Sequence, residues 1–166
     1  MTTDDEIRER DRPVHNQRGF TLIELMVTVL VLAIVLTIGV PSFRQFIVNS
    51  RVTTQANLLV TSLNIARSEA INRSENVIVA ATSGTNWHLG WTITTAGGTT
   101  LRTQGAFEGN STLVGTATSL TYASTGFLST GAGESFDLCN SEATTERQIT
   151  VVAGGRVNQD SSYVCP

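Results

Sequence analysis

The stretch Arg18-Gly19-Phe20-Thr21-Leu22-Ile23-Glu24-Leu25, running on as MVTVLVLAIVLTIGV to Val40, decides how this chain folds. From Phe20 to Val40 there are 21 residues and one charge, Glu24. At a helical rise of ~1.5 Å per residue that run is about 31 Å long, enough to cross a bilayer core of ~30 Å. A lone carboxylate in such a helix is costly, about 2.5–3.5 kcal/mol at mid-span and less near the interface. Glu24 lies near one end of the run and needs a partner that offsets this cost.

Residues 1–19 (MTTDDEIRERDRPVHNQRG) hold five acids, four arginines and almost nothing apolar. They cannot bury a core and read as a disordered leader, with His15 solvated. Orientation follows Lys and Arg rather than net charge. Arg18 abuts the span and Arg8, Arg10 and Arg12 lie upstream. The leader is therefore expected in the cytoplasm and the C-terminal part outside it.

Beyond the span the helix is expected to continue over 41–74. Phe43, Phe46 and Ile47, then Leu59, Leu63, Ala66 and Ala70, recur at three- and four-residue steps. Pro41 removes a backbone hydrogen bond and crowds the preceding turn, so a bend is expected at 38–41. The stripe after Leu58 should pack on a C-terminal sheet, with the charges of 67–73 on a solvated face.

After Ser74 the period changes. Val77–Ala81 reads as a buried strand, 87–95 as a second and 99–104 as a third, with Gly97-Gly98 as the hairpin turn. Short strands are expected at 112–114, 119–122, 126–128, 135–138 and 148–152. One long helix followed by antiparallel strands is an α+β fold. The expected divisions are a leader (1–19), a transmembrane part of the helix (20–40), its amphipathic continuation (41–74) and a β domain (75–166).

The run Gly19-Phe20-Thr21-Leu22-Ile23-Glu24, with its apolar continuation and Pro41, resembles the type IV prepilin signature. A secretory signal peptide would be shorter and carry its small-residue cleavage site after the apolar region, whereas Gly19 precedes it. The resemblance implies that a prepilin peptidase cuts between Gly19 and Phe20 and methylates the new N-terminal Phe20. It implies that Glu24 registers the subunit in a filament against a neighbour's N-terminal amine, and that the helix bends or melts at Pro41. It also implies a single-pass protein of a bacterial inner membrane with its C-terminal domain in the periplasm.

The last 90 or so residues resemble the GspH/FimT-type family of minor pilins and pseudopilins. The segments that carry this are Asn76-Val77-Ile78-Val79, Trp87 with Gly90-Trp91-Thr92-Ile93, Phe127, Phe136-Asp137-Leu138-Cys139, Arg147-Gln148-Ile149-Thr150-Val151 and Gly155-Arg156-Val157. A pilin-like fold is implied, with other minor and major pilins or pseudopilins as partners. Trp87 and Trp91, four apart, are expected to fill the core from one face of a strand, with His88 alone on the other.

Cys139 and Cys165 are the only cysteines and both fall in the part expected outside the cytoplasm. A disulfide between them is expected, worth about 3–4 kcal/mol on the loop-entropy model. Further ligands for a metal are lacking, and no CxxC is present. No nucleotide-binding loop, zinc-protease motif or nucleophile elbow occurs, so no enzyme activity, cofactor or metal is expected.

Two function classes follow. The first is a structural subunit of a type IV pilus or a type II secretion pseudopilus, placed at or near the filament tip. The second is a pilus-tip module that captures DNA for transformation. Some FimT-type proteins use Gly-Arg-x-Arg for this, and here the segment is Gly155-Arg156-Val157-Asn158, with Asn158 in place of the second Arg. Arg102, Arg147 and Arg156 are the candidates for DNA contact. Beside Asp137, Glu142, Glu146 and Asp160 they make a weak electrostatic footprint.

Overall fold

The computed structural model describes residues 19–165, and residues 1–18 of the leader, with His15 and Arg18, lie outside them. The chain divides into two compact units between Gly39 and Val40, a point inside the one long helix. That helix, α1, spans Leu22–Arg73 and includes Pro41. Its start is capped by Thr21, whose Oγ1 accepts the Glu24 N–H at 3.2 Å while its carbonyl accepts the Leu25 N–H at 3.2 Å. Thr-x-x-Glu is the capping-box spacing, and an acidic side chain in the first turn suits the positive end of the helix dipole.

In the first unit the helix side chains are exposed throughout, and this stretch is long and apolar enough to cross a membrane. Its hydroxyls are satisfied locally. Thr28 Oγ1 donates to the Leu25 carbonyl at 2.8 Å and Thr37 Oγ1 to that of Ile34 at 2.7 Å. That back-bonding removes two polar groups from apolar surroundings.

In the second unit α1 buries one stripe: Val52, Gln55, Ala56, Leu59, Ser62, Leu63, Ala66 and Ala70. The alternation of Leu with Ala and Ser lets strands approach closely along the stripe. The helix ends at Arg73. Ser74 takes a left-handed conformation (φ 52°), and the Glu75 N–H returns to the Ala70 carbonyl at 3.2 Å. This closes the last turn.

Eight strands follow: β1 (Val77–Ala81), β2 (Trp91–Thr95), β3 (Thr100–Gln104), β4 (Ser111–Gly115), β5 (Ser119–Tyr122), β6 (Glu134–Asn140), β7 (Arg147–Val151) and β8 (Val157–Asp160). They form two four-stranded antiparallel sheets, ordered β3-β2-β1-β5 and β4-β6-β7-β8. Apolar side chains meet in register within each sheet: Val79 opposite Ile93 and Leu120, Leu113 opposite Leu138, and Phe136 opposite Ile149. These side chains and the helix stripe form a single core.

Two expected strands are corrected, and one strand appears that the sequence did not suggest. The stretch 87–95 is not one strand: Trp87–Leu89 forms a 3-10 turn, and β2 begins after Gly90. Gly90 (φ 105°) passes so close to the Gln104 carbonyl that a Cβ would lie 2.5 Å from its oxygen. Trp87 thus leaves the strand and points toward the second sheet. Its ring meets Phe136 edge-on at 4.9 Å, and its Nε1 donates to the Ala117 carbonyl at 2.9 Å. Trp91 stays in the first sheet, against Phe107 at 5.7 Å. The 126–128 stretch is a turn, with one bridge between Tyr122 and Leu128. β8 had no apolar signal because most of its side chains are exposed, and backbone pairing to β7 makes it a strand.

Arg67 is also placed differently from the solvated face expected of it. Its Nε donates to the Gly126 carbonyl at 3.0 Å and its Nη2 to that of Gly154 at 3.1 Å. It ties the β5–β6 and β7–β8 connections to the helix. Gly155 (φ 76°) belongs to the same knot, where any Cβ would collide with the Gly126 carbonyl oxygen.

Cys139, on β6, is joined to Cys165 in a disulfide with a Cα–Cα distance of 6.1 Å. Among the described residues there is no free cysteine.

Two outcomes follow for stability. Leu63→Ala opens a cavity where the helix meets the sheets and should cost about 2–5 kcal/mol, read by denaturant titration. Cys139→Ser should cost ~2–5 kcal/mol, and a dithiol should lower the melting temperature of the wild type but not of the variant. A wild type that ignores the dithiol, with two thiols titrating in the folded protein, would contradict the bridge.

Candidate functional site

The residues singled out for function fall in two places. Gly19, Phe20 and Glu24 lie at the start of α1, all exposed. A Cβ built on Gly19 would touch nothing within 4 Å among the described residues. Phe20 is 79% exposed and directly precedes the cap residue Thr21. Glu24 sits on the third helical residue, inside the capping box. Thr21 was not singled out from the sequence, although the Thr-x-x-Glu spacing was there to be read.

The apolar face around these residues is continuous. Leu22, Ile23, Leu25, Met26, Val29, Leu30 and their successors to Val40 are about half or more exposed. Water does not tolerate an apolar surface of this length, so lipid or other protein must cover it.

The second place is the β domain, where the three arginines proposed for DNA contact are not brought together. Arg102 is exposed on β3, an outer strand of the first sheet. Arg147 opens β7 in the second sheet and is half-buried, its Nη2 donating to Thr53 Oγ1 of α1 at 3.1 Å. Arg156 is exposed in the connection after the other end of β7, where Val151 pairs with Val157. Five strand residues put roughly 13 Å between the two ends of β7. Arg147 serves the helix–sheet junction rather than an open surface.

Among the described residues the remaining titratable groups are engaged as follows. His88 Nδ1 lies 3.3 Å from the Leu113 carbonyl and is part of the contact between the 3-10 turn and β4. Among the described residues, one group of three could be read as metal ligands: Cys139, Glu146 and Cys165. Two of these are the bonded sulfurs, which leaves one carboxylate. That carboxylate is engaged, since Glu146 Oε2 accepts the Cys165 N–H at 2.6 Å.

Two phenols are perturbed. Burial pushes the Tyr122 hydroxyl well above its ordinary value, and the Arg67 charge partly counters it. Tyr163 is raised by desolvation and then by the charge and hydrogen bond of Asp137, with Glu146 adding to it. Both stay neutral at physiological pH.

Comparison with known proteins agrees with this geometry. Residues 14–40 match the prokaryotic N-terminal methylation motif, and residues 55–155 match the type II transport protein GspH family. Two curated fimbrial proteins of Pseudomonas aeruginosa are each 34% identical over 80 residues, which is 48% of this chain and 51% of the relative. The chain thus spans about half the length of the curated relatives it matches.

The fold is similar to that of the type IV minor pilin FimU of Pseudomonas aeruginosa strain PAO1. In one crystal form the TM-score is 0.63 at 24% identity, covering 71% of this chain and 95% of that one. In a second form it is 0.59 at 25% identity, covering 67% and 94%. With the GspH match extending over 55–155, well over half of its length, the chain belongs to the GspH family of type II transport proteins.

Proposed function

We propose that the protein is a minor pilin or pseudopilin, a structural subunit of a type IV pilus or a type II secretion pseudopilus placed at or near the filament tip. The observation that carries this is the joining, on one chain, of a methylation motif over 14–40 to a GspH domain over 55–155. The exposed apolar helix supports it. Before assembly lipid covers that surface, and after assembly the helices of neighbouring subunits do.

In this reading the helix crosses the inner membrane once, the leader is cytoplasmic and the β domain is periplasmic. A prepilin peptidase cuts between Gly19 and Phe20 and methylates Phe20. Cleavage creates an amine at the end of the helix that carries Glu24. Inside a bundle of apolar helices a carboxylate is costly alone and favourable when paired. Glu24 therefore selects the register in which a neighbour's amine lies beside it. Pro41 and the adjacent Gly39 are where the helix bends or melts to fit the filament.

Two substitutions test these steps separately. Gly19→Val places a branched side chain at the cleavage site and should leave the leader attached, read as the intact mass of the membrane form. A mass equal to the processed wild type would refute the cleavage assignment. Glu24→Val should be processed and accumulate normally in membranes. Its amount in sheared filaments should fall about tenfold or more, matching ~1.5–3 kcal/mol for a lost charge-assisted hydrogen bond. Undiminished incorporation would remove Glu24 from assembly.

A further inference from the structure

The buried stripe of α1 begins at Val52. Between Pro41 and Arg51 the helix buries no residue fully, and Gln45, Val48 and Asn49 are half-buried on the side facing the domain. Two loops meet this neck: that between β3 and β4, where Gly109 lies against Arg51, and, through a series of hydrogen bonds, that between β6 and β7. Gln45 Nε2 donates to the Glu142 carbonyl at 2.9 Å. Asn49 bonds Thr144 in both directions: its Nδ2 donates to Thr144 Oγ1 at 2.9 Å, and its Oδ1 accepts the Thr144 N–H at 3.0 Å. The Arg147–Thr53 bond closes the series.

The loop has its own anchors. The Glu142 N–H donates to Asn140 Oδ1 at 2.9 Å, and Asn110 Nδ2 donates to Glu142 Oε1 at 3.0 Å. At its far end Glu146 accepts the backbone N–H of Cys165, and Cys165 is bonded to Cys139 where β6 runs into the loop. The C-terminal segment thus closes over the loop, held by one covalent bond and one charge-assisted hydrogen bond. Residues 161–165 belong to no strand, so the disulfide is their main restraint.

We propose that the β6–β7 loop is a latch that fixes the neck of α1, residues 45–53, to the β domain, and that the Cys139–Cys165 disulfide is its lock. Reduction by a dithiol adds two electrons and two protons, leaves two thiols and converts the dithiol to its own disulfide. Cys165 and its N–H then leave Glu146, the loop keeps its anchors at Asn110 and Asn140 but loses the one at its far end, and its hold on Gln45 and Asn49 loosens. These contacts stand independently of the filament reading.

The test is backbone hydrogen exchange of the full chain in detergent micelles. Reduction by dithiothreitol, or the double variant Cys139→Ser/Cys165→Ser, should speed exchange at 45–53 and 141–147 by roughly tenfold while β1 and β2 keep their protection. Unchanged exchange at 45–53 overturns the proposal. If the reduced chain exchanges faster everywhere, Glu146→Gln decides with the bridge intact. Faster exchange confined to the loop and neck supports the lock, and no change there refutes it. Asn49→Ala should free the neck with the bridge still formed; an unchanged neck in that variant refutes the latch.

Discussion

Leu59 and Leu63 lie fully buried in the core, on the same helix whose side chains from Leu22 to Phe43 are exposed. One element therefore serves two environments, and the rest of the molecule depends on that constraint. The C-terminal half of α1 is narrow where it meets the strands, because Ala56, Ala66 and Ala70 alternate with the leucines. A helix with a one-sided stripe must find a sheet to cover it, whereas a helix apolar all round must find lipid or other helices. The change from one pattern to the other comes over a few turns near Pro41 and Arg51, which is also where the neck contacts cluster.

The two sheets share one core with the helix stripe and are joined at two further places. The 3-10 turn at Trp87–Leu89 belongs to the β1–β2 connection of the first sheet, yet its tryptophan packs on Phe136 of the second. Asn86 bridges Val114, and the Gly115 N–H donates to the Thr85 carbonyl at 3.0 Å. Gly115 leaves room for the indole, since a Cβ there would lie 2.5 Å from Trp87 Nε1. Arg67 does the equivalent at the other end, where one guanidinium satisfies carbonyls from two connections. These joints are local, one largely aromatic and one polar, and they help turn two small sheets and a helix into one unit.

The proposed function draws on surfaces and termini. In the proposed reading the N-terminal motif, matched over 14–40, would couple a cleavage event to the creation of a charge, and Glu24 would give that charge a position. The β domain carries no gathered cationic face, since Arg102 and Arg156 are apart and Arg147 is engaged with Thr53. What distinguishes the domain instead is how firmly its C-terminal end is tied to the loop that touches the helix neck.

Much of this was legible in the residues alone. A 21-residue apolar run with one carboxylate has few physical interpretations, and Gly19, Phe20, Glu24 and Pro41 stand at fixed offsets within it. The α+β class followed from a change of period after Ser74, and the core strands from their alternating apolar residues. The sequence hid what depends on contacts between distant segments. Nothing local tells that Trp87 leaves its strand, because the reason is the approach of Gly90 to the Gln104 carbonyl. β8 has no hydrophobic pattern, because its stability comes from backbone pairing to β7. Arg67 reads as a surface charge until two carbonyls, 59 and 87 residues away, are placed beside it. Periodicity reports which face of a segment is apolar. Which other segment covers that face, and which polar groups then lose water and need partners, is decided only when the chain has closed on itself.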